Sequence, residues 1–253
     1  MIADRARMLI PTLVMLGGMA VLLALGTWQF ERKAWKEALI GTLTQRLAAP
    51  PQPLPPPQAW GQLDRAAAEF RRVTFRAEFL PGKTPRDREA RLYTSGSALR
   101  DDVKTPGYFV FAPARLPGGQ VVVVNRGYVA NPQPNAGTAP APLPDGPVEV
   151  VGVLRWPEPP GWFVSTHSSR DDLWLVRDHV SMAAQKQWGA VAPFTIEQEA
   201  PAPAGGVPAP GRLKVNLPNH HLQYALTWYG LALVLAAVFA IWALGRRRTQ
   251  PPR

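Results

Sequence analysis

Two long apolar segments, one near each end of the chain, constrain the fold more than any other feature. The segment 225–244 is almost wholly apolar, and a helix of about 20 residues crosses a hydrocarbon core of about 30 Å. A second apolar segment, 8–28, has a similar length. We therefore predict two transmembrane helices with the central part of the chain between them.

The flanking charges predict the orientation of these helices. Arg246, Arg247 and Arg248 directly follow the second segment, and such clusters stay in the cytoplasm during insertion. Two spans place both termini on one side, so the tails 1–7 and 245–253 are predicted to be cytoplasmic. A cleaved signal peptide is the alternative for the first segment, but its apolar core is longer than the 7–15 residues, roughly, of such a peptide.

The composition of the chain excludes several classes of function. The chain has a net charge of +10 and no cysteine. About half of the positive excess lies in the two tails, where it sets topology and contacts membrane lipid, so nucleic-acid binding is not expected. Without cysteine, disulfides and thiolate metal sites are excluded. The sequence contains no phosphate loop, nucleophile elbow or His-x-x-x-His pair, which favours a protein that is not an enzyme.

The first helix is predicted to extend beyond the membrane. The apolar residues that recur on one of its faces are Trp28, Trp35, Leu39 and Leu43. Prolines crowd the segment 50–57, which predicts a stiff, extended spacer rather than a helix. Residues 29–57 are accordingly assigned to a helical extension and spacer, and 58–218 to a domain outside the cytoplasm.

The central part predicts a small, β-rich domain. Alternating or β-branched patterns bounded by turn residues predict strands at 71–79, 90–95, 107–112, 120–129, 148–155, 173–176, 194–198 and, from a weaker pattern, 213–217. Asp178 is predicted to cap one short helix at 179–188. The fold class is thus a membrane protein whose two transmembrane helices flank a mostly antiparallel α+β domain, built as a sheet or open barrel.

Two adjacent histidines, His220 and His221, stand at the entrance of the second span, which is assigned to 219–244. On a helix, His221, Tyr224 and Trp228 share one stripe. One interpretation is an aromatic belt with polar anchors at the membrane interface. The other is an axial imidazole for haem iron, with the aromatic rings beside the porphyrin.

A polar group, Asn125-Arg126-Gly127, follows four valines. One interpretation is a strand leaving the core, with Arg126 in a surface salt bridge. The other is that Arg126 binds a carboxylate or a haem propionate by a charge-assisted hydrogen bond. Gly127 is expected to serve a turn or a β-bulge.

Four stretches together resemble the Surf1 family of cytochrome c oxidase assembly proteins, in order and in spacing. They are Leu25-Gly26-Thr27-Trp28-Gln29 with Arg32, Trp35 and Lys36; Pro106-Gly107-Tyr108-Phe109-Val110; Val124-Asn125-Arg126-Gly127-Tyr128-Val129; and Asn219-His220-His221-Leu222-Gln223-Tyr224 continuing to Gly230. The resemblance implies a bacterial inner-membrane protein with a periplasmic domain. It also implies assembly of haem-copper oxidases, acting on subunit I, with haem a bound and delivered after haem A synthase.

The resemblance makes His221 the candidate haem ligand, while His220 stands where the family more often has asparagine. The predicted haem-binding set is His221, His220, Tyr224, Trp228 and Arg32. The predicted partner contacts are Trp28, Gln29, Asn125, Arg126, Gly127 and Tyr108. No metal other than haem iron is expected. The alternative function is a membrane scaffold that stabilises an oxidase assembly intermediate without binding haem.

Overall fold

The structure is a computed structural model, and it describes residues 2–82, 88–131, 141–158, 167–168 and 172–248. The chain divides into two compact units. One unit combines Met1–Thr42 with Leu217–Arg253 and contains the apolar helices. The other, Leu43–Asn216, contains the β-rich domain.

The helices of the described residues are α1 (Ile2–Ala48), α2 (Arg65–Ala68), α3 (His179–Gln185) and α4 (His221–Arg248), with a 3-10 helix at Pro57–Gln62. By length and composition, α1 and α4 are able to cross a membrane. Their apolar side chains are largely exposed, as lipid-facing residues are; Leu233, for example, is 73% exposed. At about 1.5 Å per residue α1 is about 70 Å long, which is more than a hydrocarbon core of about 30 Å requires.

The strands are β1 (Gln52–Pro53), β2 (Arg72–Phe79), β3 (Ala90–Thr94), β4 (Gly107–Arg115), β5 (Val121–Ala130), β6 (Pro147–Arg155), β7 (His167–Ser168), β8 (Leu173–Trp174) and β9 (Val191–Ala200). Their order in the sheet is β1-β2-β6-β9-β5-β4-β3-β8-β7, and β2 also pairs with β4. Strands β2, β6, β9, β5 and β4 therefore close into a barrel. Most pairings are antiparallel, whereas β5–β9, β1–β2 and β3–β8 are parallel.

The valine run of β5 is explained by burial on both faces. Val122 and Val124 belong to a core cluster that receives side chains from all five barrel strands. Val123 points to the opposite face and joins a second cluster with Met182 of α3 and Trp188. The short helix thus covers one side of the barrel.

Most of the predicted architecture is confirmed: two apolar helices flank a mostly antiparallel domain with a short helix. Asp178 caps α3, since its carboxylate accepts a hydrogen bond from the Ser181 amide at 3.1 Å. The open barrel is wrong, because Glu78 and Phe79 of β2 pair with the end of β4 and close the ring. The weak strand pattern at 213–217 is also wrong, since these residues form no strand.

The proline-rich segment is more than a spacer. Gln52 and Pro53 pair in parallel with β2, at the edge of the sheet, where a proline removes no central hydrogen bond. Pro57 then begins the 3-10 helix, a position at which the missing N–H of proline is not needed. Residues of this segment also pack on the barrel core through Leu54 and Trp60.

Candidate functional site

Gln29, in the middle of α1, meets His221 at the first residue of α4. The imidazole Nδ1 lies 2.7 Å from the amide oxygen Oε1 of Gln29. An amide oxygen only accepts, so Nδ1–H is the donor. In the neutral imidazole this hydrogen bond places the proton on Nδ1 and leaves Nε2 without one, so this tautomer binds a metal ion through Nε2. His221 itself is half-buried.

His220 lies in a different environment from its neighbour. It directly precedes α4, and its carbonyl oxygen accepts the Tyr224 amide at 3.2 Å in the first turn. Its side chain is exposed. The structure thus distinguishes the two histidines: His221 is oriented by α1, while His220 faces outward.

A close approach of the two helices lies next to this hydrogen bond. The ring of Tyr229 packs on Gly26, where a Cβ would lie 2.8 Å from the ring atom Cζ. The Tyr229 and Thr27 hydroxyls are 3.0 Å apart and share a hydrogen bond. Ala225 and Ala232, one heptad apart on α4, are buried. Small residues and interhelix hydrogen bonds are the usual means of holding membrane helices together.

Further along α1, two basic residues differ in their contacts. The ammonium group of Lys36 donates a hydrogen bond to the carbonyl of Pro218, just before α4. The guanidinium of Arg32 stacks over the Trp35 ring at 4.0 Å from its centroid and is otherwise exposed. Arg32 lies three residues after Gln29, so it occupies a neighbouring position on the helix.

The aromatic residues of the predicted stripe are only partly covered by protein. Tyr224 is 56% exposed, while Trp228 is half-buried. Trp28, predicted to contact a partner, is exposed on α1. The structure therefore brings Gln29 to His221 and leaves the faces of Tyr224 and Trp28 open.

The Asn125-Arg126-Gly127 group lies inside the domain rather than at a strand end. Asn125 pairs with Phe111 and Gly127 pairs with Val110, so Arg126 is the extra residue of a β-bulge. The expectation that Gly127 serves a β-bulge is therefore confirmed. At Gly127, φ is 132° and a Cβ would lie 2.2 Å from the Ala209 carbonyl carbon. Only glycine fits there.

Arg126 is 3% exposed. The prediction that its salt bridge lies on the surface is therefore wrong. Its guanidinium pairs with Glu89 and donates to the carbonyl of Pro142 at 2.9 Å. Tyr108, on the neighbouring strand, is half-buried with the Arg91 guanidinium 5.5 Å from its ring centroid. The buried residues Asn125, Arg126 and Gly127 make contacts within the domain. Partner binding at these positions and at Tyr108 stays a prediction.

The model of the SURF1 family matches residues 16–233. The chain belongs to the SURF1 family. The SURF1-like protein of Monosiga brevicollis is 33% identical over 247 residues, covering 92% of this chain and 89% of that protein. Surfeit locus protein 1 of Mus musculus is 34% identical over 235 residues (88% and 71%), and that of Homo sapiens is 33% identical over 227 residues (86% and 71%).

This SURF1-family chain holds no preformed metal cluster in the residues that the structure describes, since no three His, Asp or Glu side chains converge there. A metal bound at His221 would therefore take no more than two such ligands from the described residues. Haem fits that condition, because its porphyrin already supplies the equatorial ligands of iron.

A buried ion network in the SURF1-family domain was missed by sequence reasoning. Glu197 of β9 accepts a hydrogen bond from Asn125 at 2.6 Å and pairs with Arg177. Arg155 of β6 lies nearby and pairs with Glu158 at 2.9 Å. These residues lie far apart in the sequence, so the sequence does not indicate that they group together. The one indication of a buried ion network was the presence of charged residues within strands predicted to be buried.

His179 of α3 is fully buried, with 0% exposure, and its Nε2–H donates to the Ala192 carbonyl at 2.8 Å. Burial lowers the pKa of this imidazole, because the charged form would be desolvated. The folded state therefore holds His179 neutral where the unfolded state, with a pKa of about 6.5, takes up a proton. Stability from this group is full above that pH and is lost on acidification.

We expect the domain to lose stability below about pH 6.5, by at most about 1.4 kcal/mol per pH unit from this one group. Thermal unfolding of the protein between neutral and mildly acidic pH measures the slope, and a His179→Gln variant removes the titrating group. The slope should become shallower in the variant. An unchanged slope would show that other groups cause the acid sensitivity.

Proposed function

We propose that this protein is a non-enzymatic assembly factor for haem-copper cytochrome c oxidase, which binds haem a through Nε2 of His221 and aids its delivery to subunit I. The observation that carries the proposal is the Gln29–His221 hydrogen bond, because it leaves Nε2 free for iron. Family membership supports the assembly role, as the resemblance implies.

The residues around His221 suit an amphiphilic haem. The exposed ring of Tyr224 and the half-buried ring of Trp228 offer apolar surfaces next to the imidazole. Arg32 provides an exposed cation for a propionate, held by its stacking on Trp35. When bound, haem a would supply the iron to which Nε2 coordinates. The chain itself would bind the haem and orient it.

A carrier needs ligation that is reversible. One imidazole from this chain gives weaker retention than two axial ligands would, so haem is free to pass to an acceptor. Partners of the proposed transfer are subunit I and haem A synthase. Trp28, exposed on α1, and the partly exposed Tyr108 are the predicted contacts that remain accessible.

The proposed location is the bacterial inner membrane, with both termini in the cytoplasm and the β-rich domain in the periplasm. The arginine cluster after α4 supports this orientation, since such clusters remain cytoplasmic. His221, at the opposite end of α4, would then lie at the outer face of the membrane, where haem propionates find water and cations.

The test is haem a co-purification from cells that make haem A. We expect His221→Ala to lose most of the bound haem, whereas His220→Ala keeps it, because only His221 is oriented by Gln29. Absorption spectra of the purified proteins measure haem per chain. Unchanged haem content in the double variant would overturn the ligand assignment. If oxidase assembly then still depends on an intact β-rich domain, the scaffold function would be favoured.

A further inference from the structure

We propose that Gln29 is the positioning residue that sets both the tautomer and the ligand strength of His221. The inference rests on the proposed function, in which Nε2 binds iron. It begins from the 2.7 Å contact between Gln29 Oε1 and His221 Nδ1, which joins residues 192 apart in the chain. Between the two neutral tautomers of His221, this contact selects the one that ligates through Nε2.

Gln29 is held between two other attachments of the same helix pair. On one side, Thr27 shares a hydrogen bond with Tyr229. On the other side, Lys36 donates to the Pro218 carbonyl. Since one attachment joins α1 to α4 and the other joins α1 to the residues just before α4, the amide of Gln29 is presented to His221 in a fixed register. The imidazole plane and the direction of Nε2 are thereby set from α1.

The chemical nature of the acceptor sets the strength of the bond to iron. Histidine ligands commonly donate their second N–H to a carboxylate or a carbonyl, which raises ligand basicity. An uncharged amide oxygen raises it less than a carboxylate would. Gln29 therefore orients His221 and keeps ligation exchangeable, as a carrier requires. An amide also costs less than a charge beside an apolar span.

The first measurement needs no haem. Full-length protein labelled with 15N-histidine is studied in detergent at alkaline pH, where free imidazole is neutral. We expect His221 to be protonated at Nδ1 in the wild type and in Gln29→Glu, which keeps an acceptor oxygen. In Gln29→Leu this preference should be lost. Gln223→Leu, at an exposed glutamine of α4, is the matched control and should resemble the wild type.

The second measurement is haem binding and transfer by the same variants. We expect Gln29→Leu to weaken haem a binding about 10–100-fold, the usual cost of losing such a supporting group. Gln29→Glu should release haem to an apo-protein acceptor at least several-fold more slowly, with a lower reduction potential. A residue that only packs helices would not slow release when its oxygen is made anionic.

The outcomes separate this inference from the proposed function. Retention of the wild-type His221 tautomer in Gln29→Leu, or faster haem release from Gln29→Glu, would overturn the role of Gln29. Haem content that does not change in His221→Ala would instead overturn the proposed function, whatever the tautomer shows. Loss of the tautomer together with weaker haem binding in Gln29→Leu supports both.

Discussion

Replacing Glu197 by leucine is expected to destabilise the β-rich domain by about 3–5 kcal/mol. Glu197 is 6% exposed, and its carboxylate pairs with Arg177 and accepts a hydrogen bond from Asn125. Its removal takes the close partner from the largely buried side chain of Arg177, which among the described residues keeps only Glu158 as an ion-pair partner, at 3.8 Å, and the acceptor from the buried Asn125 amide. The desolvation of both groups is then less compensated. Thermal or denaturant unfolding of the full chain in detergent, followed by tryptophan fluorescence, measures the loss.

Two further variants test the cause. In the Glu197→Leu background, Arg177→Met should restore much of the stability, because the poorly paired charge is removed as well. Asp101→Asn is the matched control, since Asp101 pairs with Lys214 at 3.1 Å on the exposed surface. Its effect should be about 0–1 kcal/mol. A Glu197→Leu protein as stable as the control would show that the network contributes little.

Local physics explains which elements were predictable. A membrane helix is specified by about 20 apolar residues in succession, and that signal needs no knowledge of the rest of the chain. The alternation in β2 and the valine run of β5 likewise reflect burial of one face or of both. The Asp178 cap follows from a hydrogen bond within one turn of α3.

Long-range pairing explains what could not be predicted. The barrel closes through a few residue pairs between β2 and β4. The local sequence around Phe79 does not indicate that β2 pairs with a second strand. The burial of Arg126 depends on a bulge opposite Val110 and on contacts with Glu89 and the Pro142 carbonyl. In both places the deciding contact comes from a residue distant in sequence.

The same limit applies to the candidate site. Sequence and resemblance identified His221, and Gln29 was assigned only to partner contact. Their hydrogen bond depends on the register of two antiparallel helices, which hydropathy does not specify. Close packing at small residues sets the register. Among the glycines of the two helices, Gly26 leaves the least space for a Cβ.

Replacing Gly26 by leucine is therefore expected to separate α1 from α4 at the level of the site. A Cβ at this position would lie 2.8–3.0 Å from three atoms of the Tyr229 ring, so the ring and its bond to Thr27 must move. Overpacking of this kind costs about 1–3 kcal/mol. Because Gln29 follows by less than one turn, its contact with His221 should be lost too.

The absence of cysteine from the chain makes the separation measurable. In a Gly18→Cys, Leu235→Cys background, whose side chains lie across the helix pair, oxidation should crosslink the helices efficiently. We expect Gly26→Leu to lower that crosslinking several-fold. Gly230→Leu is the matched control, because a Cβ at Gly230 meets nothing within 4 Å. Equal crosslinking in both variants would mean that Gly26 does not set the register, and that Gln29 and His221 are held together by other contacts.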